Sequence, residues 1–261
     1  MNENKKVIEK DFPDKLLRLS LDVGEGMLKS GADIHRVEET IERICKAYGA
    51  AHVEAFAITS MIVASVRLED GEYSMQMRRI HSSANHLMKV EEYNRISRII
   101  CERRPDLNEF EEMIREVKNK MRYPRWLSIL GAFLVASSFT VLFGGDWLDA
   151  VVSGFIGILI VVLESFSFKH INEMIKTVII SFVCGFAASS LARFGIGHNA
   201  NEIMIGTIML LIPGIAFGNS IKDFLEGDYI AGGCRLLQSC ISAVMIAIGY
   251  GLAIIITEAI L

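Results

Sequence analysis

A short polar cluster near residue 220 interrupts an otherwise apolar stretch, and its residue types could bind a polar solute or carry a proton. Pro213 and Gly214 are followed by Asn219 and Asp223, which are four residues apart and would share one face of a helix. Pro213 has no amide donor, so it interrupts the helical hydrogen bonds. Asn219 can donate and accept hydrogen bonds, and Asp223 can hold a cation or exchange a proton. We therefore predict a substrate or ion-coupling site here.

Other charged residues could take part in the same chemistry. A carboxylate beside a membrane cavity is usually paired, and Arg235 is the candidate partner for Asp223 because Lys222 points elsewhere on a helix. The alternative is that Asp223 caps a helix end in water. Glu164 is a candidate proton carrier, with an interfacial carboxylate in water as its alternative. Arg193 and Arg235 could meet a substrate carboxylate or anchor the ends of loops.

The remaining sequence gives no sign of catalytic, metal-binding or ATP-binding chemistry. Its histidines share no metal-ligand spacing, its five cysteines form no CxxC pair, and no GxxxxGK[ST] motif occurs. We therefore expect no enzymatic activity, no metal and no cofactor. Any uphill transport would have to be driven by an ion gradient, most simply of protons.

The distribution of charge divides the chain into two parts. The protein has 261 residues, a net charge of −4 and 51% hydrophobic residues, with a mean hydropathy of +0.37. Residues 1–125 hold 22 of the 27 Lys and Arg residues and 22 of the 31 Asp and Glu residues. Because a globular domain needs a polar surface on all sides, this segregation predicts a soluble domain followed by a membrane domain. The lack of a basic surplus argues against a nucleic-acid partner.

The first part, residues 1–122, is predicted to be a cytoplasmic α+β domain. Helical periodicity flanks two short runs of β type, 52–58 and 61–67, and Asp70-Gly71 is typical of a hairpin. Asp33 is well placed to cap the second helix. Tyr73, Met75 and Met77 alternate with polar residues and indicate a strand face.

The second part, residues 123–261, is predicted to be an all-α transmembrane bundle of five helices in the lipid bilayer. A span needs about 20 mostly apolar residues, and five such stretches occur at about 126–145, 147–168, 176–194, 203–221 and 236–257. Pairs of small residues one turn apart, such as Gly154 with Gly157 and Gly214 with Gly218, indicate close helix packing.

The positions of Lys and Arg predict the orientation of these spans. Basic residues precede the first span and lie between the second and third and between the fourth and fifth, whereas the opposite loops are nearly free of them. The N-terminus is therefore expected in the cytoplasm and Leu261 outside, in a multi-pass protein of the cell (inner or plasma) membrane. Residues 1–15 contain no apolar core of a cleavable signal peptide.

Two regions of the sequence resemble the threonine/serine exporter family (YjjP/ThrE-like). They are Gly24 with the run Ser30-Gly31-Ala32-Asp33-Ile34-His35-Arg36-Val37-Glu38, and Pro213-Gly214, Asn219, Asp223, Gly227-Asp228, Gly233 and Arg235. The resemblance implies a cytoplasmic N-terminal domain followed by membrane helices that export threonine and serine, or dicarboxylates such as succinate. It also brings Asp228 and Arg235 into the candidate substrate or coupling site.

A second membrane component is expected from the same resemblance. Single-chain exporters of this kind carry about twice as many spans, which implies that this chain is the larger of two components. Transporter folds are commonly built from two related halves around a central site, and this sequence shows no internal repeat. A second small multi-span subunit, a homo-oligomer, or both would supply the other side of the central site.

Other functional classes remain open. A membrane-anchored enzyme or sensor would act through the N-terminal domain, which takes up nearly half the chain but contains no evident nucleophile–base pair. A structural scaffold would tolerate changes at the polar residues inside the membrane. An exporter should be sensitive at Asn219 and Asp223, whereas an enzyme should keep its activity when its domain is cut free at Tyr123.

Overall fold

Helices dominate the structure, a computed structural model that describes residues 12–81, 85–119, 124–166 and 172–260. In chain order, the elements are α1 (Phe12–Lys29), α2 (Ile34–Ala47), β1 (Ala50–Ile58), β2 (Met61–Leu68), β3 (Tyr73–Arg79), α3 (Leu87–Arg103), α4 (Leu107–Asn119), α5 (Arg125–Leu142), α6 (Trp147–Ser165), α7 (Glu173–Arg193), α8 (Ala200–Leu211), α9 (Gly214–Glu226) and α10 (Tyr229–Ile260). The helices and the small sheet of the α+β prediction are both present.

These elements pack as two compact units. The first holds the described residues of 12–119 together with Ile215–Leu237, which is most of α9 and the start of α10. The second holds the described residues of 124–214 and 238–260. The predicted domain boundary at residues 122 and 123 lies outside the described residues.

The first unit is built around the largely buried helix α1 and a three-stranded antiparallel sheet. The strands follow the order β1-β2-β3, and the β2–β3 hairpin turns at Asp70-Gly71 as predicted, with the Leu68 N–H donating to Glu72 O at 2.9 Å. Leu16, Ile41 and Ile62 are fully buried in the core. Its α2 begins at the predicted cap, because the Asp33 carboxylate accepts the Arg36 N–H at 2.9 Å.

Among the residues that the structure describes, four continuous helices are long and apolar enough to cross a membrane. They are α5, α6, α7 and α10, and a fifth crossing is available only if α8 and α9 count as one span. The predicted fourth span, 203–221, is therefore not one straight helix: α8 ends at Leu211, α9 begins at Gly214, and the two helices meet at 56°. Pro213 is the cause, because a proline cannot continue the amide ladder. The end of the predicted second span, at 167–168, lies outside the described residues.

Small residues bring helices of the second unit into close contact. A Cβ added at Gly206 would lie 2.0 Å from Thr140 Oγ1 and 2.7 Å from Ala136 O, and one added at Gly157 would lie 2.7 Å from Ala132 O. The short distances at Gly157 confirm the close helix packing expected there. Gly214 and Gly218, by contrast, have no atom of the chain within 4 Å of such a Cβ, so this predicted pair does not pack in the described structure.

Candidate functional site

The loop between α1 and α2 supplies backbone acceptors and a carboxylate. Gly31 has a φ of +93°, a left-handed conformation that favours glycine, and it ends α1 by donating its N–H to Leu28 O at 3.1 Å. The turn leaves the carbonyl groups of Gly31 and Ala32 available to other elements. Asp33 follows at once as the cap of α2.

Polar side chains of α9 bind this loop. Asn219 Nδ2 donates to Gly31 O at 3.0 Å, and Lys222 Nζ donates to Asp33 Oδ2 at 3.0 Å. The Ile34 N–H donates to Asp223 Oδ1 at 3.4 Å. One face of α9 is thus bonded to a loop that lies almost two hundred residues earlier in the sequence.

The predicted pairing of Asp223 with Arg235 is confirmed. Arg235, near the start of α10, has its Nε 3.3 Å from Asp223 Oδ2 and donates from Nη2 to Ala32 O at 3.3 Å. Asp223 is 0% exposed and Arg235 only 7% exposed. The alternative of Asp223 as a helix cap in water is therefore wrong, because the arginine and the Ile34 amide solvate the carboxylate in place of water.

Asp33 is held in its ionised form. Burial opposes its charge, but the hydrogen bonds from Lys222 and the Arg36 amide, together with both positive charges, outweigh burial and keep the pKa of Asp33 below its usual value. The sequence did not reveal the pairing of Asp33 with Lys222. The only signal was a cap residue, which explains Asp33 locally without any partner on a distant helix.

The other predicted site residues lie apart from this network. Pro213 and Gly214 form the break before α9. The Asp228 N–H donates to the main-chain O of Asp223 at 2.8 Å, so Asp228 shapes the turn between α9 and α10. Glu164 lies on α6 with an exposed side chain, and its main-chain O accepts Lys176 Nζ at 2.8 Å. Within the described ranges, no group of three or more His, Cys, Asp or Glu residues could hold a metal ion.

Glu38, on α2, is a titratable group that the sequence did not single out. Its Oε1 accepts the Ala57 N–H of β1 at 2.6 Å. Burial, assisted by the nearby charge of Asp228 and opposed by this hydrogen bond, raises the pKa of Glu38 to about 7. The side chain therefore changes charge near neutral pH.

Glu38 should make stability fall as the pH rises. A carboxyl whose folded-state pKa is raised stabilises the fold below its unfolded pKa, and this contribution is lost as the pH passes from about 4.5 to about 7. Glu38→Gln keeps the acceptor for Ala57 but cannot ionise. Between pH 5 and pH 8, we expect the free energy of unfolding of the wild type to fall by about 1 kcal/mol more than that of the variant. This value is reduced because the side chain is partly exposed to solvent.

Thermal unfolding of the full chain in detergent at the two pH values measures this difference. Glu39→Gln, a neighbouring change at an exposed position, is the control and should behave as the wild type. Equal pH dependence in the wild type and in Glu38→Gln would contradict the assignment.

Comparison with known proteins identifies the family. A family model described as "Putative threonine/serine exporter" (ThrE) matches residues 18–257. The chain belongs to the threonine/serine exporter family. It is therefore a membrane transport protein, and the motifs that carry the resemblance in sequence are those that meet in the Asp33, Asp223 and Arg235 network.

Relatives in this exporter family differ in length. The "Probable succinate transporter subunit YjjP" of Klebsiella aerogenes is 26% identical over 90% of this chain and 94% of its own length. The "Probable threonine/serine exporter" of Mycobacterium tuberculosis is 24% identical over 90% of this chain and 45% of its own length. The "Threonine/serine exporter" of Corynebacterium glutamicum is 22% identical, over 93% of this chain and 51% of its length. No solved structure matches the chain.

Proposed function

We propose that this chain is one subunit of an exporter for small polar or anionic metabolites, either threonine/serine-type amino acids or dicarboxylates such as succinate. Membership of the exporter family and the set of apolar helices support this function. An ion gradient, most simply of protons, drives export in this proposal. The N-terminal domain lies in the cytoplasm and the C-terminus outside, an orientation supported by the alternating Lys and Arg residues.

The proposed exporter needs a second component. Relatives of similar length are named transporter subunits, and this chain covers only 45% and 51% of the two longer exporters. In this proposal, a second small multi-span membrane protein, or further copies of this chain, forms the transport site together with this subunit. Transporter sites commonly lie between two related halves.

In this proposal, ion movement is coupled to export by the face of α9 that binds the Gly31 loop. Asn219, Lys222 and Asp223 form this face. The observation that carries it is the buried Asp223, which joins the helix after the Pro213 break both to Arg235 and to the Ile34 amide. Protonation of Asp223 would remove the charge that holds Arg235 and would weaken the hold of the loop on α9. Asn219 and Lys222 bind the same loop and would be released with it, while Asp228 sets the turn that positions Arg235.

Charge removal at Asp223 tests this role. We expect Asp223→Asn to lower efflux of labelled threonine or succinate at least about tenfold when the chain is co-expressed with its partner subunit, because the coupling charge is lost. Glu91→Gln, which removes an exposed carboxylate on α3 in the same unit, is the matched control and should export normally.

A double variant separates coupling from stability. Asp223→Asn with Arg235→Gln replaces the ion pair by two neutral groups, which often restores folding. The proposal requires this double variant to accumulate in the membrane and still to export poorly. Export at the wild-type rate by Asp223→Asn or by the double variant would show that the pair is only structural.

A further inference from the structure

One face of the three-stranded sheet in the first unit is apolar and exposed. The helices α1 and α2 pack against the opposite face, where Ile62 and Ala64 are buried. Successive side chains of a strand point to opposite faces of a sheet, so the residues between these point away from the helices. Phe56, Met75 and Met77 on this side are 52%, 61% and 59% exposed. Patches of several exposed, large apolar side chains commonly mark interaction sites.

The strand register shows how apolar and charged residues are distributed over this face. Its central row is apolar throughout, because Phe56 of β1 pairs with Val63 of β2 and Val63 pairs with Met77 of β3. The rows on either side consist of Ile58, Met61 and Arg79 and of Glu54, Ser65 and Met75. We call these three rows the outer face. Charge is confined to two of its corners, where Glu54 and Arg79 lie diagonally opposite each other across Val63.

The two charged corners are too far apart to pair within one chain. Strands are about 4.8 Å apart and rise about 3.4 Å per residue, which separates Glu54 from Arg79 by roughly 17 Å. Glu54 Oε1 is instead 3.1 Å from Nε2 of His52 on its own strand. Both Glu54 and Arg79 are exposed, so each can meet a charge on a second molecule.

We propose that the outer face packs against the outer face of a second copy of this chain. A two-fold axis that passes between the faces at Val63, perpendicular to the line from Glu54 to Arg79, pairs Glu54 of each copy with Arg79 of the other. The same axis brings Phe56 close to Met61 of the other copy, where a thioether and an aromatic ring attract each other. The strands of the two sheets then cross steeply, as in the orthogonal arrangement of packed sheets.

The charge pattern favours a second copy over a lipid surface. An interface with two-fold symmetry uses the same patch on both subunits, so the patch must be complementary to itself. Opposite charges at opposite corners, with apolar residues between them, meet this requirement. An anionic lipid surface would attract Arg79 but repel Glu54, so a lipid surface does not explain the presence of both.

The size of the outer face indicates an association that depends on the membrane. Three strands of this length cover roughly 300 Å² in projection, well below the surface of about 800 Å² that a stable interface buries on each partner. Two chains anchored in one bilayer have a raised effective concentration, as two linked domains do. The association is therefore expected in membranes and should be measured there.

Energy transfer between fluorescent copies in membrane vesicles tests the proposal. Donor-labelled and acceptor-labelled full-length chains are co-expressed, and transfer is compared with that from an unrelated membrane protein at the same density. We expect the wild type to exceed this background. Glu54→Arg in both copies, or Arg79→Glu in both copies, should lower the paired fraction at least about fivefold, because the two-fold axis introduces two like-charge contacts.

A mixture of the two variants is the decisive arm. A donor copy with Glu54→Arg and an acceptor copy with Arg79→Glu again carry opposite charges at both corners, so transfer should return to the wild-type level. Since these corners lie far apart within each chain, only contact between two copies predicts this recovery. Glu91→Arg and Arg98→Glu change exposed residues of α3, outside the sheet, and should behave as the wild type.

An apolar substitution tests the centre of the face. Phe56→Ser should lower the paired fraction at least about threefold, because it removes an aromatic side chain from the contact. Leu87→Ser is the matched control, since Leu87 is 62% exposed on α3 and lies outside the outer face. Equal effects of these two changes would contradict the proposal.

Other occupants of the outer face give different results. A lipid surface or an unrelated protein on this face would leave the wild type at background or would give no recovery in the mixture, and either result overturns the proposal. Transfer that stays unchanged in Glu54→Arg and Arg79→Glu overturns it as well. The inference goes beyond the proposed export function, and its test measures association alone, so failure of the efflux measurements would leave this result unaffected.

Discussion

Replacing Arg235 with glutamine should destabilise the protein by about 3–5 kcal/mol, the range found when one partner of a buried ion pair is removed. The reason is the environment of Asp223, which is 0% exposed and has its Oδ2 3.3 Å from Arg235 Nε. Without the arginine, the carboxylate must either stay charged without a counterion or take up a proton. Chemical unfolding of the purified full chain in detergent measures the loss.

Removal of both charges provides the control for this prediction. The double variant Asp223→Asn with Arg235→Gln leaves no buried charge unpaired, so it should recover most of the stability lost by Arg235→Gln. An exposed pair gives the comparison: Lys46→Gln breaks the contact with Glu42 at 2.8 Å and should cost less than about 1 kcal/mol. A loss for Arg235→Gln as small as that for Lys46→Gln would contradict the burial of the pair.

Gly206→Ala should also destabilise the protein strongly. A methyl group there would lie 2.0 Å from Thr140 Oγ1, 2.7 Å from Ala136 O and 3.0 Å from Thr140 N. Because two of these atoms belong to the backbone of α5, the helices must separate, which costs about 1–3 kcal/mol by analogy with overpacked cores. Thermal stability of the full chain should fall accordingly.

Gly251→Ala is the matched control for the helix contact. Gly251 also lies within an apolar helix, but among the described residues no atom beyond the adjacent backbone of its own helix is within 4 Å of the added Cβ. The change should leave stability the same or raise it slightly, because alanine favours helices more than glycine does. Equal effects at Gly206 and Gly251 would rule out close packing between α5 and α8.

Local features of the fold could be predicted from the sequence because each has a local cause. The Asp70-Gly71 turn, the Asp33 cap and the break at Pro213 each depend on a few adjacent residues. The pairing of Asp223 with Arg235 was also predictable, since a buried carboxylate near the membrane needs a cation and few basic residues follow it.

The partner of α9 could not be predicted in the same way. Asn219 and Asp223 suggested a site open to solute, yet the structure bonds them to Gly31 and Ile34. Periodicity reveals which face of a helix is polar but gives no information about a loop far away in sequence. The raised pKa of Glu38 was hidden for the same reason, because it depends on burial against β1 and on the charge of Asp228.

The hydrogen bonds between the Gly31 loop and α9 have a consequence for biosynthesis. Lys222 is separated from Asp33 by 189 residues, and ribosomes add roughly 5–20 residues per second. Roughly 10–40 s therefore pass between synthesis of the Gly31 loop and synthesis of α9. The apolar helices α5 to α8 are made during this interval. The first unit is completed only after residue 237 has been made, so a nascent chain that stops earlier exposes an unfilled binding surface. Assembly of the first unit thus requires that α5 to α9 have already been made.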